Sequence, residues 1–166
     1  MTMGRPPHFK TKRFNAPIRS LSFSKIPNCT FSCKRNQIVA ELPIRYENGP
    51  PKYKLKIIIG TYGDYECFII SPQISYANGM PPHIYFGDSK VDEVNKVFKE
   101  LHICLHLPGS DEYSIDAPIM ETIVSWAIKW TEFYELWLLT GVWYGGGKHA
   151  SDDVEKTLLS KESKNK

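Results

Sequence analysis

The sequence predicts one α+β domain in which an antiparallel β-meander is followed by a long amphipathic helix. The meander is indicated by three short strand-like segments, residues 36–43, 52–60 and 65–70, with turn-forming residues between them. The helix is indicated by apolar residues at helical spacing over residues 117–140. A chain of 166 residues with 42% hydrophobic content can bury one core and is short for two.

The second strand-like segment has the clearest pattern of the three. Apolar and charged residues alternate along it, and a period of two is typical of a strand with one buried face. The short connection at residues 62–64 favours antiparallel pairing with the next strand. The alternating residues are Tyr53, Leu55, Ile57 and Ile59 on one side and Lys52, Lys54 and Lys56 on the other.

The two ends of the chain differ in composition from the middle. Residues 1–35 contain eight of the 21 basic residues and none of the 18 acidic ones. We expect this segment to be a mostly irregular, solvated arm, although a basic arm is also able to meet a phosphate backbone or an acidic partner. Residues 150–166 are predicted to form a charged, disordered tail, which leaves residues 36–149 as the domain.

Two further segments lie between the meander and the residues of chemical interest. Residues 81–86 contain two prolines, which restrict them to an edge strand or an extended crossing segment. Residues 89–100 have apolar residues at helical spacing, so a short helix is predicted there. The residues that predict this helix are Val91, Val94 and Phe98.

Residues 117–140 form the longest predicted element. Asp116 can cap its start, Pro118 fits its first turn, and Gly141 suits the position just past its end. An aromatic stripe on a helix is most often a core face, so we interpret it as scaffold rather than as a cofactor site. The stripe consists of Ile119, Ile123, Trp126, Trp130, Phe133 and Trp137.

Residues 101–107 alternate between aliphatic residues and residues that can carry chemistry. If this segment is extended, His102, Cys104 and His106 share one face. Cys104 is then exposed beside two imidazoles, and a protonated imidazole favours its thiolate. Cys104 is therefore the candidate nucleophile, and His83 is a candidate helper if the fold brings it near.

Two other interpretations of Cys104 remain open at this point. A lone cysteine is often a small buried hydrophobe, and periodicity alone does not separate that role from a nucleophile. A metal site with Cys29 and Cys33 is disfavoured, because three ligands at alternate strand positions spread along the backbone. We expect no metal and no cofactor. Four scattered cysteines, with no apolar leader or membrane-spanning run, favour a cytoplasmic protein with reduced thiols.

The order of these elements resembles the ubiquitin-conjugating (UBC) fold, in which strands, a Pro-Pro segment and an Ile-Cys-Leu context precede a helix. Residues 81–86 resemble the Pro-Pro-x-Val-x-Phe stretch of that family, and Tyr113-Ser114 sits where it often has Trp-Ser. Over residues 36–149 the chain is similar to prokaryotic UBC-like proteins of antiphage islands, including CBASS operons. The motifs that carry this similarity are His83-x-Tyr85, Cys104-Leu105, Thr122 to Trp126, Trp130, Tyr134 to Trp137, Thr140-Gly141 and Trp143-x-Gly145-Gly146-Gly147.

The resemblance implies a UBC-like fold and cysteine-dependent acyl transfer. In such enzymes the thiolate takes an acyl group from the C-terminal carboxyl of a protein, holds it as a thioester and passes it to an amine. In CBASS versions the protein handled is a cGAS-like nucleotidyltransferase joined through its C-terminal glycine, and some systems add an activating enzyme. A ubiquitin-like protein is the alternative partner, and neither a membrane nor a nucleic acid is expected as one.

By this resemblance Cys104 matches the catalytic cysteine and His83 matches the His-x-Tyr motif, with His102 and His106 as substitutes for the helper. The His-Pro-Asn motif of eukaryotic members is absent, and Asn95, at a similar distance upstream, lies on the predicted helix. This absence motivates an alternative hypothesis. The chain would then be a catalytically inactive UBC-fold module that binds a nucleotidyltransferase or a ubiquitin-like protein.

Overall fold

Four strands form an antiparallel meander at the start of the sheet. The computed structural model of the protein describes residues 13–47, 49–106 and 112–146. The three predicted strands are confirmed, and one further strand precedes them. The four strands are β1 (Thr30–Lys34), β2 (Gln37–Arg45), β3 (Pro51–Ile59) and β4 (Tyr65–Ser71).

The alternation along β3 decides which face of the sheet is buried. Strands β2 and β3 pair in register from Ile38 opposite Ile59 to Ile44 opposite Tyr53, and these four side chains are at most 4% exposed. Lysines occupy the other face, where Lys54 forms an ion pair with a glutamate of β2 at 2.6 Å. The predicted period of two is therefore confirmed, and the apolar face provides most of the core.

The N-terminal segment is more regular than the sequence predicts. Two short helical segments precede β1, which itself lies within residues 1–35. Nη2 of Arg19 donates to the main-chain oxygen of Ile115 at 2.9 Å and to that of Ala117, so one of the basic residues ties this segment to the rest of the domain. The expectation of an irregular arm is wrong for these elements, whereas the boundaries of arm, domain and tail stay a prediction. The helical segments are α1 (Ala16–Ser20) and a 3-10 turn (Leu21–Lys25).

A β-hairpin replaces the short helix predicted for residues 89–100. Val91 and Phe98, which were expected to share a helix face, lie opposite each other across the hairpin, and Val94 is 91% exposed in its turn. Two residues seven positions apart lie on the same face of a helix, and they can also lie opposite each other across a hairpin. Their spacing therefore did not distinguish the two structures. The remaining strands are β5 (Ile74–Ser75), β6 (Lys90–Asp92) and β7 (Val97–His102), and the sheet order is β1-β2-β3-β4-β7-β5 with β6 also paired to β7.

The long helix is confirmed, but it begins later than predicted. Its first turn is a π-helix over Met120–Val124 with Ile119 at the N-cap position, so the expected cap by Asp116 is not formed there. A regular α-helix, α2, follows over Ser125–Thr140. It ends at Gly141, whose left-handed φ of 74° is a conformation that glycine adopts without strain.

Helix α2 covers the apolar face of the sheet. Tyr134 packs edge-on against Tyr53, with ring centroids 6.4 Å apart, and the Tyr46 hydroxyl hydrogen-bonds to Thr131. These contacts place the middle of α2 against β3 and the residue that follows β2. In the part of the chain that the structure describes, no helix is long and apolar enough to cross a membrane.

Candidate functional site

A cleft of about 480 Å³ opens where the chain leaves β7. Cys104 and His106, just past the end of β7, lie along it, and so does His83 from the Pro-Pro segment. The structure thus brings three of the four predicted site residues to one cavity. The hairpin of β6 and β7 brings these residues together, because it returns the chain to residues 81–86, the Pro-Pro segment. There Ile84 forms an isolated antiparallel bridge with Ile103.

Aromatic side chains and glycines form the walls of the cleft. One wall belongs to α2 and the other to the segment that follows it. A Cβ atom at Gly145 would lie 2.7 Å from Nε1 of Trp143 and 2.9 Å from a ring carbon of Phe133, so this close approach requires glycine. The wall residues are Trp126, Trp130 and Phe133 on α2 and Trp143, Gly145 and Gly146 after it.

The main chain fixes the position of Cys104. Its amide donates to the main-chain oxygen of His83 at 2.9 Å, and the amide of Ile103 donates to that of Cys67 at the same distance. Sγ of Cys104 lies 3.2 Å from the Tyr85 hydroxyl and 3.3 Å from the main-chain oxygen of His106. Cys104 is only 9% exposed, so the expectation of an exposed thiol is wrong.

The electrostatic surroundings of Cys104 favour the neutral thiol. Burial raises the pKa of Cys104, and its hydrogen bond with the Tyr85 hydroxyl partly opposes this shift. Burial also lowers the pKa of His106, against a smaller opposing effect of Glu112. A neutral imidazole does not stabilise a thiolate by charge, so the thiolate expected beside protonated histidines is not favoured here. A neutral imidazole in the same cleft can still act as a general base when sulfur attacks.

His83 is held by its main chain and by stacking. Its φ of 53° is left-handed, an uncommon conformation for a residue with a side chain. Its oxygen accepts hydrogen bonds from the Cys104 amide and from Nε1 of Trp130, the latter at 3.1 Å. Its ring lies against Trp143, with centroids 5.2 Å apart. His83 therefore connects the cysteine segment to both walls of the cleft.

His106 is oriented by a tyrosine and a tryptophan. Its Nδ1 is 2.5 Å from the Tyr65 hydroxyl, and its ring centroid lies 5.8 Å from that of Trp126. A hydrogen bond to one ring nitrogen sets the position of the ring and leaves the other nitrogen as the second proton site. His106 is thus fixed within the cleft.

His102 lies outside the cleft. It is 7% exposed and sits between Phe68 and Tyr85, at centroid distances of 4.6 and 4.7 Å. Burial lowers its pKa, and its Nδ1 is 3.8 Å from an Asp88 oxygen. The predicted alternation of aliphatic and polar residues holds from residue 101 to Ile103. Because the aliphatic residues face the core, the His102 imidazole lies on the outer face of the sheet. The geometry therefore favours His83 and His106 over His102 as helpers.

The other sequence-based candidates do not reach the cleft. Asn95 lies in the turn of the β6–β7 hairpin, where its amide hydrogen-bonds to Asp92 at 2.9 Å. The expectation that Asn95 lies on a helix is wrong. Among the described residues, no group of three or more histidine, cysteine or acidic side chains could hold a metal ion.

Sequence reasoning missed two features of the site. Tyr85 was noted only as part of a motif, although residues 83 and 85 of an extended segment share a face and could both have been candidates. Trp126 and Phe133 were assigned to the scaffold, but they are half-buried and line the cleft. The width of the aromatic stripe could have indicated this role. A stripe wider than the helix face that contacts the core also has residues that face a cavity or the surface.

Comparison with known proteins identifies the family. No curated protein matches the sequence significantly. A family model described as Type II CBASS E2 protein matches residues 20–150, which is most of the chain and includes the whole described cleft. The match begins ahead of the predicted domain start at residue 36, in agreement with the helical segment and strand found there. The chain belongs to the family of Type II CBASS E2 proteins.

Proposed function

We propose that this protein is a ubiquitin-conjugating-type acyl transferase with a UBC-like fold and that Cys104 carries the acyl group as a thioester. Family membership indicates an E2-like role in CBASS antiphage defence with a protein partner. The observation that carries the proposal is the position of the Cys104 thiol, in a cleft shared with two imidazoles and walled by aromatic residues and glycines. Such a site excludes water around sulfur and keeps a proton acceptor close.

The first proposed step forms a carbon–sulfur bond at the C-terminal carbonyl of a donor protein. The thiol of Cys104 gives its proton to the imidazole of His83 or His106 as sulfur attacks the carbonyl carbon. The leaving group, an adenylate or the thiolate of an activating enzyme, takes the electrons of the broken bond. An amine then attacks the thioester carbonyl, the carbon–nitrogen bond forms as the carbon–sulfur bond breaks, and a proton lost by the amine returns to the sulfur of Cys104.

The proposed donor is the C-terminus of a cGAS-like nucleotidyltransferase, with a ubiquitin-like protein as the alternative. A chain end that finishes in glycine is narrow and flexible enough to enter a cleft of this size. Gly146 supports this, because the space into which a side chain would project there is open. His83 ranks first as the helper because of its motif and its main-chain contact with Cys104, and His106 ranks second.

Intact-mass measurement tests the proposal directly. The full-length protein, co-expressed with its operon neighbours, is expected to carry an adduct that added thiol removes. Cys104→Ala is expected to carry none, whereas Cys33→Ala keeps it, because Cys33 lies on β1 outside the residues that line the cleft. A wild-type protein whose mass matches that of Cys104→Ala under these conditions would rule the thioester out.

A second function is favoured by one observation, the raised pKa of Cys104 in a cleft where burial also lowers the pKa of His106. A cysteine without a preformed thiolate also suits a module that only binds its partner. Phage-protection assays separate the two functions. Cys104→Ala is expected to abolish protection if the thioester is required, and full protection by this variant would establish the binding module.

A further inference from the structure

One amine lies on the wall of the cleft. Of the described residues that line it, Lys129 is the lysine, and its side chain is exposed on α2. Its neighbours on that helix, Trp126 three residues before and Phe133 four residues after, are the aromatic residues of the same wall. Residues three and four apart on a helix share a face, so the helix directs Lys129 to the cleft side.

Two chains of contacts connect this helix face to the candidate nucleophile. Trp126 packs on the His106 ring at 5.8 Å, and the main-chain oxygen of His106 lies 3.3 Å from Sγ of Cys104. Trp130, the residue after Lys129, donates to the oxygen of His83, which also accepts the Cys104 amide. Trp126 and Trp130 thus connect α2 to the residues around Cys104, and Lys129 lies within one helical turn of both.

We infer that Lys129 is an internal acceptor of the acyl group carried by Cys104, so that the protein can convert its own thioester into an isopeptide. This inference rests on the proposed function, and it names one acceptor amine for that chemistry. The substrate is an acyl group ending in glycine on sulfur, and the product is an amide on the Lys129 Nζ.

The transfer balances without a further reactant. The Lys129 nitrogen attacks the thioester carbonyl, the carbon–nitrogen bond forms, and the carbon–sulfur bond breaks. One amine proton passes through an imidazole or water to the departing sulfur, which becomes the thiol again. Burial keeps the His106 imidazole neutral and so able to accept that proton, because it lowers the pKa of His106.

Proximity gives this reaction its advantage over acceptors in solution. An amine on the same wall as the thioester reacts as an intramolecular partner, with a high effective concentration. The consequence is a branch point. A bound acceptor that fills the cleft receives the acyl group, and in its absence Lys129 captures it permanently.

A peptide thioester tests the inference with the full-length protein. The probe is a short peptide ending in glycine, activated as its mercaptoethanesulfonate thioester, which can exchange onto a cysteine. After incubation, dithiothreitol removes thioesters and leaves amides, so intact mass gives the fraction of adduct that resists thiol. Peptide mapping then locates the modified residue.

Lys129→Arg keeps the positive charge but supplies no acyl-accepting amine. The matched control is Lys99→Arg, an exposed lysine of β7 outside the cleft.

In the wild-type protein and in Lys99→Arg we expect a thiol-labile adduct on Cys104 and a thiol-resistant adduct on Lys129. In Lys129→Arg the resistant fraction is expected to fall by about tenfold or more, because an intramolecular amine has been removed. Cys104→Ala is expected to lose both adducts.

Different failures have different meanings. A Cys104 thioester with no resistant adduct, or with one that maps to another residue, overturns the inference and leaves the proposed function standing. A resistant adduct on Lys129 that persists in Cys104→Ala also overturns it, since the acyl group did not pass through sulfur. A wild-type protein without any Cys104 adduct overturns the inference together with the thioester step of the proposed function.

Discussion

Strands β2 and β3 and the cleft around Cys104 are held together by different kinds of contact. The two strands pair over a continuous register and bury every second side chain, while ion pairs lie on the outer face. The cleft combines irregular backbone with single polar contacts. His83 has a left-handed φ, the helix that forms one wall begins with a π turn, and one main-chain oxygen accepts bonds from both Trp130 and Cys104.

This difference indicates that stability and site geometry rest on separate residues. Apolar burial is proportional to area and does not depend on the identity of any single partner. A polar contact in a cleft depends on one donor and one acceptor, so its loss alters the site directly, while its net contribution to stability is only about 0.5–1.5 kcal/mol. Substitutions can therefore affect one region while the other keeps its properties.

The largest expected effect lies in the sheet. Ile57→Ala removes a side chain that is 0% exposed and leaves a cavity in the core, so we expect the free energy of unfolding to fall by about 2–5 kcal/mol. The alkylation rate of Cys104 in the remaining folded protein is expected to stay at the wild-type value. Chemical denaturation and peptide-resolved alkylation measure these two quantities.

A matched substitution in the hairpin turn provides the control. Val94→Ala removes apolar atoms that are 91% exposed, and we expect a change within about 0.5 kcal/mol. Equal destabilisation by the two variants would contradict the view that burial in the sheet dominates stability. A large change in Cys104 alkylation in Ile57→Ala would show that the two regions are coupled.

The regular region was also the predictable one. The alternation of Tyr53, Leu55, Ile57 and Ile59 identified the buried face, because a strand that is buried on one side must repeat every two residues. The hairpin was mistaken for a helix because Val91 and Phe98, seven residues apart, can share a helix face and can equally lie opposite each other across a hairpin. Strand β1 was missed because it is exposed at most of its positions and carries little alternation.

The site was predictable only in part. Cys104 and the two imidazoles beside the cleft were identified from local pattern and resemblance, but their surroundings depend on contacts across the fold. Tyr85 is 19 residues from Cys104 and meets it only because a hairpin returns the chain.

An intermediate effect is expected from one hydroxyl in the cleft. Tyr85→Phe keeps the ring beside His102 but removes the group that lies 3.2 Å from Sγ of Cys104. Burial, as the main cause, raises the pKa of Tyr85 itself, so the hydroxyl keeps its proton and can donate to a thiolate. Without this donor the pKa of Cys104 rises further, and alkylation of Cys104 at neutral pH is expected to slow several-fold with little change in stability.

The measurement is the pH profile of alkylation on the peptide that contains Cys104, followed by mass spectrometry. We expect the midpoint in Tyr85→Phe to move to higher pH. Tyr62→Phe serves as the control, because that side chain is 83% exposed in the turn before β4. A midpoint that is unchanged or lower in Tyr85→Phe would show that the hydroxyl does not stabilise the thiolate.

The smallest expected effect concerns an ion-pair network on the outer face of the sheet. The Glu100 carboxylate lies 2.5 Å from Nζ of Lys56 and 2.9 Å from Nζ of Lys90, and these two lysines, chiefly Lys56, lower its pKa. A carboxyl group whose pKa is lower in the folded state than in the unfolded chain stabilises the fold at any pH above its ordinary pKa of 4.5. This stabilisation disappears as the pH falls through the lower pKa of the folded state. Glu100→Gln is therefore expected to lower the free energy of unfolding by about 0.5–1 kcal/mol at pH 7, because these ion pairs are partly exposed and screened. The loss is expected to become smaller as the solution is acidified.

Denaturation curves at several pH values measure the difference, with Glu93→Gln in the exposed turn as the control. A loss of the same size at acidic and neutral pH would mean that packing by the glutamate side chain, rather than its charge, stabilises this face of the sheet.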